Sequence, residues 1–136
     1  MDIIAQLKRD EGVRHFPYAD TVGKLTIGVG RNLKDVGLRD SEIDFLLRND
    51  VSEKATQLSN RFPWFSGLDE VRRGVLVNMT FNMGIGGVLG FPKFLVAVSR
   101  GEWNVAAAEM LDSQWAGQVG DRAKRLAQQM QTGQWV

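Results

Sequence analysis

The 136-residue chain is 43% hydrophobic and 24% charged, has a formal net charge of +1 and contains no cysteine. That composition describes a globular domain long enough to bury its own core, excludes disulfides and thiolate metal sites, and lacks the basic excess that nucleic-acid binding requires. No apolar run reaches membrane-spanning length, and the N-terminus does not read as an export signal, because the charged run Lys8 to Glu11 closely follows Ile3, Ile4 and Ala5.

Residues 2–11 carry Ile3, Ile4 and Leu7 on one stripe and meet Gly12, which predicts a short amphipathic helix. Glu11 falls four residues after Leu7, on the same stripe. The period then changes. "HFPYAD" and "KLTIGVG" are short β-like runs separated by "TVG", a turn containing glycine. In the second run Leu25, Ile27 and Val29 alternate with Lys24, Thr26 and Gly28, which predicts a half-buried strand with Thr26 on its polar face. By the same rule Tyr18 and Asp20 share a face of the preceding strand.

"RNLKDVGL" reads as a loop. A long helix is then predicted over about 41–60, where Ile43, Leu46, Leu47, Val51, Ala55 and Leu58 follow the helical period and Pro63 closes the segment. "LDEVRRGVLVNMTFNMG" is apolar nearly all round at its centre, as a buried helix is, and is expected to end at Gly84. "IGGVLGFPKF" reads as a glycine-rich link. Three more helices are predicted at about 93–100, 103–115 and 121–131, with breaks at Gly101, Gly117 and Gly133. The fold class is therefore α+β, predominantly helical. A small antiparallel β lobe is expected over about 12–40, a bridging helix over about 41–60 and a helical lobe over about 61–136, with helix 2–11 packed on the helical lobe and a cleft between the lobes.

The chemical signal is the set Glu11, Asp20 and Thr26. A carboxyl on an apolar stripe is expected to be partly desolvated. It also sits at the negative end of a helix, and both effects favour the protonated acid. A carboxylic acid kept protonated near neutral pH can act as a general acid. Asp20, in a polar strand-turn setting, is expected to stay ionised. Two carboxyls in unlike environments suit glycosidic-bond hydrolysis, in which one protonates the leaving oxygen and the other directs water or stabilises positive charge at the sugar carbon. Taken singly, each residue has a plainer reading. Glu11 can be solvated or paired with Arg14, Asp20 can cap the "TVG" turn, and Thr26 can be an ordinary strand residue.

The order "DEG", "YAD", "LTIGVG" resembles the phage lysozymes of the T-even type, glycoside hydrolase family 24. The likeness continues through "LDEVRRGVLVNMTFNMG", Gly90–Phe91, Trp103–Ala107 and "DRAKR…TGQW", nearly the whole chain. The resemblance implies a lysozyme-like two-lobed fold and hydrolysis of the β-1,4 bond between N-acetylmuramic acid and N-acetylglucosamine in peptidoglycan, by inversion, with no cofactor or metal. Glu11 would donate the proton, while Asp20 and Thr26 would hold the attacking water. Arg122 matches the arginine that pairs with the catalytic glutamate, and Tyr18 matches a nearby aromatic. Phe81 and Asn82 match the family's cleft pair, where a ring stacks on a sugar and an amide reads an N-acetyl group. Gly30 is expected to allow a turn or close backbone approach to a glycan. Substrate-binding positions further correspond to Asn32, Phe94 and Glu109, which are not the usual types.

The chain also departs from the best-known member of that family. Arg31 stands where that member has a histidine, and Asp50 matches the histidine's partner, so an Arg31–Asp50 ion pair independent of histidine protonation is expected. The loop after Asn32 is shorter. Other chemistries fail on their motifs. "GVGRNL" and "GIGGVLG" lack dinucleotide-binding spacing, His15 is the only histidine and is expected at the surface, and no nucleophile elbow is present. Trp64, Trp103, Trp115 and Trp135 are expected to pack helices rather than bind sugar. The reading is thus an endolysin, a monomer with peptidoglycan strands as its partner and neither nucleic acid nor stable membrane insertion. It would reside in the host cytoplasm until a holin releases it to the cell wall in the periplasm. Rival readings are a lytic transglycosylase, a tail lysozyme for entry, or a non-catalytic cell-wall-binding module of the same fold.

Overall fold

A computed structural model describes all residues, 1–136. It has seven helices and one small sheet, in the order α1 (Ile3–Glu11), β1 (Arg14–Ala19), β2 (Leu25–Gly28), β3 (Arg31–Asn32), α2 (Asp40–Arg61), α3 (Glu70–Leu89), α4 (Pro92–Ser99), α5 (Trp103–Leu111), α6 (Gln114–Val119) and α7 (Asp121–Thr132). The expected α+β class with helix dominant is borne out. Internal contacts divide the chain into two units, Met1–Leu46 and Leu47–Val136, the division falling within α2. No single helix is long and apolar enough to cross a membrane.

In the first unit, Asp2 caps α1 by accepting the Ala5 N–H at 2.8 Å, and the Gly12 N–H closes the other end on the Lys8 carbonyl at 3.0 Å. The sheet is antiparallel in the order β1-β2-β3, with Tyr18 opposite Thr26, Ala19 opposite Leu25 and Thr26 opposite Asn32. The register slips between Arg14 and Tyr18. Pro17, which has no N–H to give a ladder, lies in that interval on an edge strand. Burial along β2 does not follow the expected alternation. Thr26 is the fully buried residue of β2, while Leu25 is 48% exposed. The apolar stripe of α1 is also open to solvent: Ile3, Ile4 and Leu7 are all exposed, and no residue of α1 is buried.

The second unit holds the core. Leu58, Val75, Leu76, Met79, Phe94, Met110 and Met130 are almost wholly buried together, contributed by α2, α3, α4, α5 and α7. Burial of each such side chain is worth roughly 1.5–3 kcal/mol relative to exposure. Arg72 ties the start of α3 to the end of α7. Its Nε donates to the Met130 carbonyl at 2.7 Å, Nη2 to the Gln131 carbonyl at 3.1 Å and Nη1 to Asp69 at 3.1 Å, and the guanidinium lies 4.0 Å from the Trp103 ring centroid. A cation on the last carbonyls of a helix opposes that end's negative dipole.

Helix boundaries differ from expectation at two places. Gly84 does break α3, with φ 76° and ψ 165° inside the span, a conformation open to glycine and closed to side chains. Beyond it, however, the expected glycine-rich link is helical over residues 85–89. Apolar Ile85 and Val88 give that turn a face for the core, which outweighs glycine's poor propensity. The expected helix 103–115 is two helices. Ser113 interrupts it and caps α6, its hydroxyl accepting the Ala116 N–H at 3.1 Å. Gly117 lies inside α6, and the next break comes at Gly120.

Candidate active site

Glu11 is the last residue of α1 and is exposed, so the desolvation expected from its stripe is absent. The reason is local. Leu7 and Ile4, which share the stripe, are themselves open to solvent. Within the first unit no hydrogen bond or ion pair engages the Glu11 carboxyl. It lies instead against Gly30, in the turn between β2 and β3: a Cβ built on Gly30 would stand 3.0 Å from Oε2 and 3.1 Å from Cδ of Glu11.

Asp20 follows β1 and organises the turn to β2. Its Oδ1 accepts the N–H groups of Val22 at 2.9 Å and Lys24 at 2.8 Å, while its own N–H donates to the Lys24 carbonyl at 2.9 Å. The turn-capping reading of Asp20 is therefore correct, but it consumes only one oxygen and leaves Oδ2 for another donor. Thr26 Oγ1 donates to the same Lys24 carbonyl at 2.9 Å. Its hydrogen is thus committed, and what its hydroxyl can still offer is lone pairs. Lys24 joins the two residues through one backbone unit, which fixes the Asp20 carboxyl and the Thr26 hydroxyl relative to each other. Tyr18, across the ladder from Thr26, has the Arg14 guanidinium 5.0 Å from its ring centroid.

Arg31 and Asn32 occupy β3. The expected Arg31–Asp50 pair does not form. Both Nη atoms of Arg31 bind the carboxylate of Glu42 instead, Nη1 to Oε1 at 2.8 Å and Nη2 to Oε2, and Nη1 also donates to the Gly37 carbonyl at 3.1 Å. Asp50 lies eight residues further along the continuous helix α2, about 12 Å by helical rise, beyond the reach of a guanidinium seated on Glu42. Arg31 and the Arg39 N–H hold the Glu42 carboxyl down at about 2, and the same hydrogen bond raises Arg31 above its usual value. Glu42 carried a readable signal. It stands three residues after Arg39 at a helix start, and its Oε1 accepts the Arg39 N–H at 2.7 Å, half of a capping box. Asn32 closes on Asp35, its Nδ2 donating to Oδ2 and its Oδ1 accepting the Asp35 N–H, both at 3.0 Å. That uses its carbonyl oxygen and one of its two amide hydrogens and leaves the other hydrogen for an acceptor.

In the second unit Phe81 is 44% exposed and available as a stacking face. Asn82 accepts the Trp115 Nε1–H through Oδ1 at 2.9 Å, which fixes the amide's orientation and leaves both hydrogens of Nδ2 for an acceptor. Asn78, one turn earlier on α3, was not singled out from sequence. Its Oδ1 takes Nε and Nη2 of Arg122 at 3.0 and 2.7 Å. Phe94 is 1% exposed and belongs to the core, packed edge-on to Phe91, which corrects its expected role as a substrate contact. Phe94 and Glu109 do come together in the lining of a pocket of about 520 Å³, with Phe94 as part of its floor. Of the tryptophans, Trp115 is buried, Trp64 stacks on Phe62, Trp103 lies under Arg72, and Trp135 is exposed. His15 is at the surface, as expected.

The phage lysozyme family model matches residues 8–131 of the chain. The chain is 32% identical to the pre-baseplate central spike protein Gp5 of Enterobacteria phage T4, a match covering 98% of the chain but only 28% of that longer protein. It is 31% identical to a probable T4-type lysozyme 1 of Dictyostelium discoideum, over 93% of the chain and 92% of the relative. A SAR-endolysin of Bacteriophage PS119 is 35% identical over 56% of the chain and 47% of its own length. With its helices, its small antiparallel sheet and a match that spans almost every residue, the chain belongs to the phage lysozyme family.

Proposed function

We propose that the chain is a lysozyme-type hydrolase that cuts the β-1,4 bond between N-acetylmuramic acid and N-acetylglucosamine in peptidoglycan, with inversion at the anomeric carbon. The observation that carries the reading is the division of labour between two carboxyls of the first unit. Glu11 has no polar partner within that unit and can exchange its proton with a substrate oxygen. Asp20 is tied by Oδ1 to two backbone N–H groups and keeps Oδ2 open.

In this reading, Glu11 in its acid form gives its proton to the glycosidic oxygen as the bond to the anomeric carbon breaks. Water attacks that carbon from the opposite face and passes one proton to Asp20 Oδ2. The Thr26 hydroxyl, its own hydrogen directed to Lys24, accepts the water's other hydrogen and orients it. Proton return from Asp20 and reprotonation of Glu11 complete the cycle. The named relatives differ in setting, one a spike protein and another an endolysin, and the proposal concerns the activity that either setting would use.

Turbidity of chloroform-treated Gram-negative cells tests it. The wild-type chain is expected to clear them and Glu11→Gln to leave them turbid. Equal clearing by the variant would sink the mechanism. Mass analysis of the released fragments separates the lytic transglycosylase alternative, because hydrolysis adds one water to the cut product and internal cyclisation adds none.

A further inference from the structure

We propose that Gly30 is a positioning residue for the catalytic acid, acting through the side chain it lacks. The inference rests on the role assigned to Glu11 above. Glu11 stands at the end of a helix, and within the first unit no hydrogen bond or ion pair engages its carboxyl. Its side chain occupies the space into which a side chain on Gly30 would project. A Cβ at that position would lie 3.0 Å from Oε2, 3.1 Å from Cδ and 3.4 Å from Cγ, against three consecutive heavy-atom positions along the acid. Contacts this short are tighter than nine in ten that real Cβ atoms make, so a side chain at residue 30 obliges the Glu11 side chain to give way by a few tenths of an ångström.

The same hairpin contains its own control. Gly28 has φ 69° and Gly30 has φ 66°, both in the left-handed region that side chains resist. A Cβ on Gly28 meets no atom within 4 Å, whereas one on Gly30 meets Glu11. Alanine at either position therefore imposes similar backbone strain, and only alanine at 30 displaces the acid. This also separates a positioning role from the glycan-contact role expected for Gly30 from sequence. A lost sugar contact raises KM, whereas a misplaced acid lowers kcat.

The experiment compares Gly28→Ala, Gly30→Ala and Glu11→Gln with the wild type on purified peptidoglycan. Thermal melts of all four and NMR of the labelled Glu11 carboxyl accompany the kinetics. The two glycine variants are expected to melt at similarly lowered temperatures. Gly28→Ala keeps kcat within about twofold and leaves the Glu11 carboxyl resonance and its titration in place. Gly30→Ala moves both and loses about tenfold in kcat with little change in KM, less than the roughly 100-fold that a full 1 Å misplacement of a reacting group costs. The inference is overturned if Gly30→Ala retains kcat, if it changes KM alone, if its Glu11 resonance matches that of Gly28→Ala, or if Gly28→Ala loses as much activity. An active Glu11→Gln overturns the functional reading together with this inference. An inactive Glu11→Gln beside a fully active Gly30→Ala overturns this inference only.

Discussion

Arg31 and Glu42 form a two-pronged ion pair that fastens the last strand of the small sheet to the first turn of α2. Glu42 simultaneously caps that turn through the Arg39 N–H. One carboxylate thus serves both the loop and the helix start, and its pKa of about 2 follows from those donors, the Arg31 hydrogen bond first.

The pH dependence has a definite sign. Glu42 binds its proton less readily folded than unfolded, so the pair's contribution is complete above the ordinary glutamate value of about 4.3. It is lost as the pH falls through about 2. Because the cation is arginine, the contact is expected to be indifferent to titration between pH 6 and 7. An NMR titration of the Glu42 side-chain carboxyl checks both statements. A midpoint near 4.3 would show that the pair is not formed.

Thr26→Val keeps the shape of the buried side chain and removes its hydroxyl. Activity is expected to fall by about 100-fold or more, the scale of a water-orienting group. Stability should change by only about 1 kcal/mol, since the Lys24 carbonyl still accepts the Asp20 N–H at 2.9 Å. Asp20→Asn makes a parallel case. The amide can keep its oxygen on the turn, but it presents NH2 where the base was, so the variant is expected to fold and to be inactive. Urea melts beside turbidity assays distinguish these outcomes from general unfolding.

Phe94→Ala is expected to cost roughly 3–5 kcal/mol, as for other fully buried phenylalanines, and to leave KM unchanged in the protein that remains folded. A raised KM with unchanged stability would return Phe94 to the role of substrate contact that its sequence position suggested.

Arg72→Ala removes two carbonyl contacts at the end of α7, the bond to Asp69 and the stacking on Trp103. Its expected cost is roughly 2–4 kcal/mol. Arg72→Lys should recover only part of that, because an ammonium cannot span both carbonyls and cover the ring at once. Denaturant unfolding of the three proteins measures the difference.

The elements of this chain were legible where one local force dominates. The apolar period of α2, the apolar centre of α3 and the glycine after α7 each marked its element. The hairpin and the trio Glu11, Asp20 and Thr26 were also visible in order and spacing. What sequence did not reveal was set by choices between near-equivalent partners. Arg31 had several acidic residues ahead of it on one helix, and the choice of Glu42 depended on how the short loop after Asn32 turned. The break at Ser113 was hidden because serine can continue a helix or cap one, and only packing decides. Alternation of residue types in β2 does not say which side chains are covered, and it is Thr26 that is buried and Leu25 that is exposed.

Arg72 also constrains the order in which the second unit can be assembled. Its carbonyl partners lie 58 and 59 residues downstream, so a chain emerging from the ribosome cannot complete the start of α3 until Met130 and Gln131 are free to reach it. Long-range closures of this kind are made late and slow the search for the native state. The helices between, α4 to α6, must wait in partly packed form. Their amides are therefore expected to gain full protection from hydrogen exchange in one concerted step with those of α7, rather than one after another along the chain.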